Sequence, residues 1–264
     1  MVLIMPCASI IPMKHAIILA AGQGKRLGKL TSDIPKCLLA IEDKTLLDFS
    51  LEALKESSVS DITFVIGHAK EKLIEHVIEN WSDDFTFKFV YNEKYADYNN
   101  IYSAYLVRNS WTDETILLNS DIIFDKEILL GLKTEAENSC LIIDNTKTLV
   151  EEDMKVKVNS TKKITAINKG LNIKDSLGEY IGIFYLKGDE RVKFLESLEL
   201  NVEGVYGRKP LLDLYYEDAL DQILDHVSVY PLSTNGKKWT EVDTSEDYEL
   251  AKKIGKELKE KVAI

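Results

Sequence analysis

Between residues 14 and 135 the apolar positions change rhythm at short, regular intervals. Residues 16–20 (AIILA) are an unbroken apolar run, as a strand covered on both faces requires. Residues 44–57 then carry Leu46, Leu47, Phe49, Leu51 and Leu54 as a helical stripe. The pattern repeats: a strand over 61–66, a helix over 70–80 with Leu73, Ile74, Val77 and Ile78 inward, a strand over 85–91, and a helix over 101–109. A strand over 115–118 ends in Asn119-Ser120-Asp121, and a helix follows over 126–133. Strands alternating with helices predict right-handed crossovers and a mainly parallel sheet.

The second half is less regular. Residues 141–144 read as a strand, 154–159 and 163–167 as a hairpin about a polar turn, and 180–186 (YIGIFYL) as another strand. Helices are predicted over 191–198 and 211–226, with strands over 227–230 and 239–242. A charged helix over 245–261 turns Tyr248, Ala251, Ile254 and Leu258 inward. The fold class expected is α/β: one Rossmann-like domain with a mainly parallel, mixed sheet and helices on both faces. Residues 1–12 are apolar but short, lack a basic start and are broken by Pro6 and Pro12. They read as a dispensable leader before a domain over 13–254 and a terminal helix over 245–264.

Charge narrows the function classes. A net charge of −11 over 264 residues repels a phosphate backbone, so nucleic acid is not the expected partner. No apolar run approaches a membrane span. Cys7, Cys37 and Cys140 are scattered without metal-ligand spacing and point to a reducing, cytoplasmic setting. The four histidines show no metal spacing either.

One stretch concentrates chemistry: LAAGQGKRLGKLTSDIPK, residues 19–36. A strand that runs into glycines lets the backbone approach an anion, with successive N–H groups forming a nest. The Walker A pattern fails, because Gly24-Lys25 is followed by Arg26 and no glycine precedes Gly24 by five positions. The dinucleotide fingerprint is one residue out of register at Gly28. Three cations (Lys25, Arg26, Lys36) suit a triphosphate whose charge must be neutralised as a bond breaks.

LAAGQGKRL followed by PK resembles the signature of the sugar-nucleotide and cytidylyl nucleotidyltransferases, L-A-A-G-x-G-x-R-L and P-K. The resemblance implies a GT-A-like fold with a nucleotide-binding half over 14–135 and a small acceptor-binding part over 136–244. It implies that Leu19, Ala20, Ala21, Gly22, Gly24, Lys25 and Arg26 wrap the nucleotide, and that Arg26 and Lys36 neutralise phosphate charge. It also places two metal ligands, one ending the central strand and one near the C-terminus. Asp121 and Asp243 fall there, and Mg²⁺ is the expected ion, a hard cation that prefers oxygen ligands. Asp121 also belongs to the nucleotide site.

Residues 91–108 (YNEKYADYNNIYSAYLVR) are similar to a motif of bacterial-type phosphocholine cytidylyltransferases, which favours CTP and assigns Asn99 and Ser103 to the nucleotide. Lys155, Lys169, Glu179 and Tyr180 correspond to the acceptor side, with Lys169 on the acceptor phosphate. The expected reaction joins CTP to a small phosphorylated alcohol, such as phosphocholine or inositol 1-phosphate, releasing pyrophosphate; a homodimer is allowed. Two alternatives stay open: a sugar-1-phosphate nucleotidyltransferase using UTP or dTTP, and a non-catalytic nucleotide-binding protein. Tyr180, Tyr185, Tyr215, Tyr216 and Trp239 are the aromatic residues available for a quaternary ammonium.

Overall fold

The computed structural model describes residues 14–204 and 211–262. The leader expected over 1–12, with Cys7, lies outside the described residues. The first strand, β1 (His15–Ala20), is central. It pairs in parallel with β4 (Asp61–Ile66) on one side and β6 (Glu114–Asn119) on the other, and β5 (Thr86–Tyr91) continues the sheet beyond β4. Between β1 and β4 lie a two-residue ribbon, β2 (Ala40–Ile41) with β3 (Lys44–Thr45), and helix α1 (Leu46–Glu56). Helices α2 (Lys70–Trp81), α3 (Asn100–Leu106) and α4 (Glu127–Glu135) occupy the crossovers expected for them.

Because β1 is buried throughout, its alternate side chains enter different cores. Ala16, Ile18 and Ala20 join the layer with Leu51, Leu73 and Leu129, whereas Ile17 and Leu19 meet Ile101, Phe194 and Leu220 on the other face. At roughly 1.5–3 kcal/mol per fully buried large apolar side chain, these two layers are the main source of stability.

The other half adds antiparallel strands. β8 (Cys140–Asp144), the hairpin β9 (Lys155–Val158) with β10 (Ile164–Asn168), and β11 (Gly178–Lys187) follow in order. β11 is long enough to pair with β6, β8 and β9 in succession. Helix α5 (Gly188–Val202) and helix α6 (Tyr216–Asp221) cover it, and α7 (Ser245–Val262) closes the chain. Ala251 and Ile254 of α7 are buried over Ile41 and Val242, with Tyr248 and Leu258 partly covered, as the helical stripe predicts.

Three elements depart from the sequence pattern. The helix expected over 211–226 shrinks to α6, because Tyr215 is extended and starts the helix, and a separate 3-10 turn forms over Leu211–Asp213. The strand expected over 227–230 shifts to β12 (Tyr230–Ser233). Pro231 is tolerated there because β12 pairs only with β8, leaving its other side without a ladder. A three-residue strand, β7 (Ile122–Phe124), was not legible in the apolar pattern; it pairs antiparallel with β13 (Trp239–Glu241).

β11 is bulged between Tyr180 and Phe184, with Gly182 at φ 86°. A Cβ there would lie 2.8 Å from Asn119 Nδ2, beside the end of the central strand. Gly182→Ala is expected to lower stability by about 1–3 kcal/mol, read from the urea midpoint. An unchanged midpoint would show that the bulge accepts a side chain without strain.

Candidate active site

The glycine loop leaves β1 at its carboxyl end, the sheet edge where α/β proteins bind ligands. Lys25–Thr31 coils as short 3-10 turns, interrupted at Gly28 by φ 57°, ψ −119°, a conformation open in practice only to glycine. Thr31 Oγ1 donates to the Gly24 carbonyl at 2.8 Å, folding the loop back on itself. Pro35 is extended and launches the turn Lys36–Leu38, so Lys36 rises beside Gly24 and points into the cleft.

Asp121 and Asp243 converge through the β7–β13 ribbon. Asp121 follows β6 in the turn to β7. The Val242 N–H donates to the Asp121 carbonyl at 2.8 Å, extending the ribbon to the metal-ligand candidates themselves. Asp247 fixes the next turn: its Oδ2 accepts from the Asp243 and Thr244 amides at 3.1 and 2.8 Å, capping α7.

Lys36 Nζ lies 2.6 Å from Asp121 Oδ2 and 2.8 Å from Asp243 Oδ1, and Arg26 lies 2.7 Å from Asp243 Oδ2. Burial opposes the charge of Lys36, but the two carboxylates outweigh it and hold its pKa above the ordinary value. Burial likewise opposes ionisation of Asp243, and Lys36 and Arg26 outweigh it, keeping Asp243 below the usual carboxylate range. Of the four carboxylate oxygens, Asp121 Oδ1 is the one without a partner among the described residues, and it is buried.

Glu241 completes the acidic group. One oxygen from each of Asp121, Glu241 and Asp243 lies within 4.8 Å of the others. Glu241 keeps contact with solvent, yet the cleft walls and then the charges of Asp121 and Asp243 raise its pKa. Its role was missed from sequence, although a signal existed: Trp239, Glu241 and Asp243 alternate with buried Val242 and so share one face. Three hard oxygen donors and one orphaned oxygen suit a divalent cation.

A cleft of about 440 Å³ runs from this group across the sheet edge. Leu19, Ala20, Ala21, Gly22, Gly24, Lys25, Arg26 and Lys36 line it from the loop side, and Asn99, Ser103 and Asp121 from the sheet side. Asn99 caps α3 with its side chain on the Asn100 amide, and Ser103 Oγ accepts from Asn92 Nδ2 at 2.9 Å. Lys169, Glu179 and Tyr180 also line it. Lys169 Nζ sits 5.6 Å from the Tyr215 ring centroid and forms no ion pair among the described residues.

One acceptor-side expectation changes on inspection, and another gains a partner. Lys155 does not line the cleft. It is fully buried, its Nζ donating to the carbonyls of Glu151, Asp153 and Val150 at 2.6, 3.2 and 3.4 Å, so it pins the loop before β9 and does not meet an acceptor. Glu179 does reach the cleft, but Lys147 already holds its Oε2 at 2.5 Å. Burial pushes the Glu179 pKa up to about 7 against that pairing. Lys147 lies in a polar loop without any pattern that would mark it. Among the aromatic candidates, Tyr180, Tyr215 and Trp239 face the cleft, whereas Tyr185 and Tyr216 do not.

The MobA-like NTP transferase domain matches residues 16–148, about half of the chain. The chain belongs to the MobA-like NTP transferase family. It is a nucleotidyltransferase by that membership. The choline-phosphate cytidylyltransferase of Streptococcus pneumoniae is 27% identical over 90% of this chain and 97% of its own length. The CTP:phosphoglutamine cytidylyltransferase of Campylobacter jejuni is 25% identical over 89% of this chain and 98% of its own. A solved structure of the CTP:phosphocholine cytidylyltransferase from Streptococcus pneumoniae superposes with a TM-score of 0.75, at 27% identity, over 92% of this chain and 99% of that one. The mixed, mainly parallel sheet is therefore a fold shared with known nucleotidyltransferases. Among the described residues no helix is long and apolar enough to cross a membrane.

Replacing Lys155 with Met removes the donor to three carbonyls and is expected to cost about 1–3 kcal/mol in a urea titration while leaving nucleotide affinity unchanged. Full stability together with weakened acceptor binding would return Lys155 to the acceptor site.

Proposed function

We propose that this MobA-like NTP transferase condenses CTP with a small phosphorylated alcohol, giving a CDP-alcohol and pyrophosphate. The observation that carries the reading is Lys36 held between Asp121 and Asp243 at the mouth of the glycine loop. A binding module gains nothing from three acidic groups gathered around a lysine, whereas transfer at the α-phosphate needs cations and metal-holding carboxylates at one point. Similarity to cytidylyltransferases of several phosphorylated acceptors supports CTP as the nucleotide.

The step needs no general base, because the acceptor phosphate is already anionic at neutral pH. One of its oxygens attacks the α-phosphorus in line. The bond from that phosphorus to the bridging oxygen breaks, and pyrophosphate leaves with the electron pair. The loop amides cradle the leaving phosphates, and Arg26 and Lys36 neutralise charge as it builds. Lys169 receives the acceptor phosphate, and the side chains about α3 orient the base through Asn99 and Ser103. Asp121, Asp243 and Glu241 would hold Mg²⁺, which when bound supplies further positive charge at the phosphate oxygens. What this chain contributes otherwise is position.

Pyrophosphate release is expected with CTP in preference to UTP, dTTP and ATP, and EDTA should stop it. Asp121→Ala and Lys36→Ala should each lower kcat by about 10³-fold or more, with cooperative thermal unfolding retained. A preference for UTP or dTTP would move the enzyme to sugar 1-phosphates, and near-normal turnover in either variant would overturn the roles given to these residues.

A further inference from the structure

The cleft contains a buried carboxylate for which the reaction above has no use. Glu217, in the first turn of α6, lines the cleft and is only 4% exposed. Among the described residues its Oε2 has no hydrogen-bond partner. Three of the other acidic groups of the cleft are paired, Asp121 and Asp243 by Lys36 and Arg26 and Glu179 by Lys147, whereas Glu152 and Glu241 are exposed to solvent. Burial pushes the Glu217 pKa up to about 7, and the neighbouring Tyr216 and Asn100 side chains offset this only in part. The Tyr216 hydroxyl is also engaged elsewhere, 2.8 Å from the Tyr180 hydroxyl and 3.2 Å from Asn119 Oδ1.

A buried carboxylate oxygen without a donor is costly, and so is a buried negative charge without a counter-charge. A ligand that removes both costs must carry positive charge and an N–H on the same atom. A polyol hydroxyl supplies the hydrogen and no charge. A quaternary ammonium supplies the charge and no hydrogen: the Tyr180, Tyr215 and Trp239 rings that face the cleft suit its charge, but it leaves the Glu217 oxygen without a donor. A primary ammonium supplies both, and charge-assisted bonds of this kind are the strong ones. Lys169, without an ion pair among the described residues, remains for the acceptor phosphate.

Resting on the cytidylyltransferase reading, we infer that Glu217 selects the acceptor by its primary ammonium: the second substrate is a phosphorylated amino alcohol with a free –NH₃⁺ group. This differs from the phosphocholine named for the Streptococcus pneumoniae relative. The test is a pyrophosphate-release assay with CTP and phosphoethanolamine, phosphocholine or inositol 1-phosphate, run on the intact chain and on Glu217→Gln. Phosphoethanolamine is expected to exceed both others in kcat/KM by about tenfold or more. Glu217→Gln should lower kcat/KM for phosphoethanolamine by about 10–100-fold, with the KM for CTP and the small activity on inositol 1-phosphate unmoved. Preference for phosphocholine or inositol 1-phosphate, or an equal loss on every acceptor, overturns the inference and leaves the cytidylyltransferase reading intact. Absence of release from CTP with all three acceptors overturns that reading and the inference together. The ranking in the unaltered chain decides the matter by itself if Glu217→Gln fails to fold.

Discussion

The site rests on one ammonium between two carboxylates. At about 4 Å, two like charges repel by roughly 4 kcal/mol where the effective dielectric is near 20. Asp121, Glu241 and Asp243 crowd together at that range, on a sheet edge partly withdrawn from water. Lys36 reverses the sign of this energy, and Arg26 assists from the rim. Asp121 Oδ1 is left without a partner among the described residues. Under the proposed reaction, the charges that hold the cleft together would also serve a triphosphate and its cation, so little needs to be built when the substrate arrives.

The central strands and four flanking helices were legible because both faces of β1 are buried and its neighbours repeat the rhythm. What escaped was short or decided by a partner. Ile122-Ile123-Phe124 is too brief for a period to show, and β7 exists because β13 pairs with it. Residues 211–226 have helical spacing throughout, but the extended Tyr215 begins the helix later. Tertiary contacts overrode local pattern in both places.

The convergence of the proposed catalytic residues was readable for a related reason. The glycines, cations and two aspartates are set by backbone geometry that leaves a dense local signature. The acceptor end was less so. Lys155 sits in the sequence KVKV, which reads as a solvated edge, yet a loop of carbonyls encloses it. Glu217 lies beside Asp218, and which of the two faces the cleft depends on how α6 seats against β10 and α3, not on composition. The proposed acceptor contacts thus lie where local pattern says least.

The β7–β13 pairing also has a bearing on synthesis. A growing chain carries the phosphate loop and Asp121 long before Asp243 leaves the ribosome. Until then Lys36 has one of its two carboxylates, Glu241 is absent, and the Asp121 carbonyl lacks the Val242 amide. Under the proposed reaction, the three carboxylates therefore come together only after translation has delivered residues 239–243.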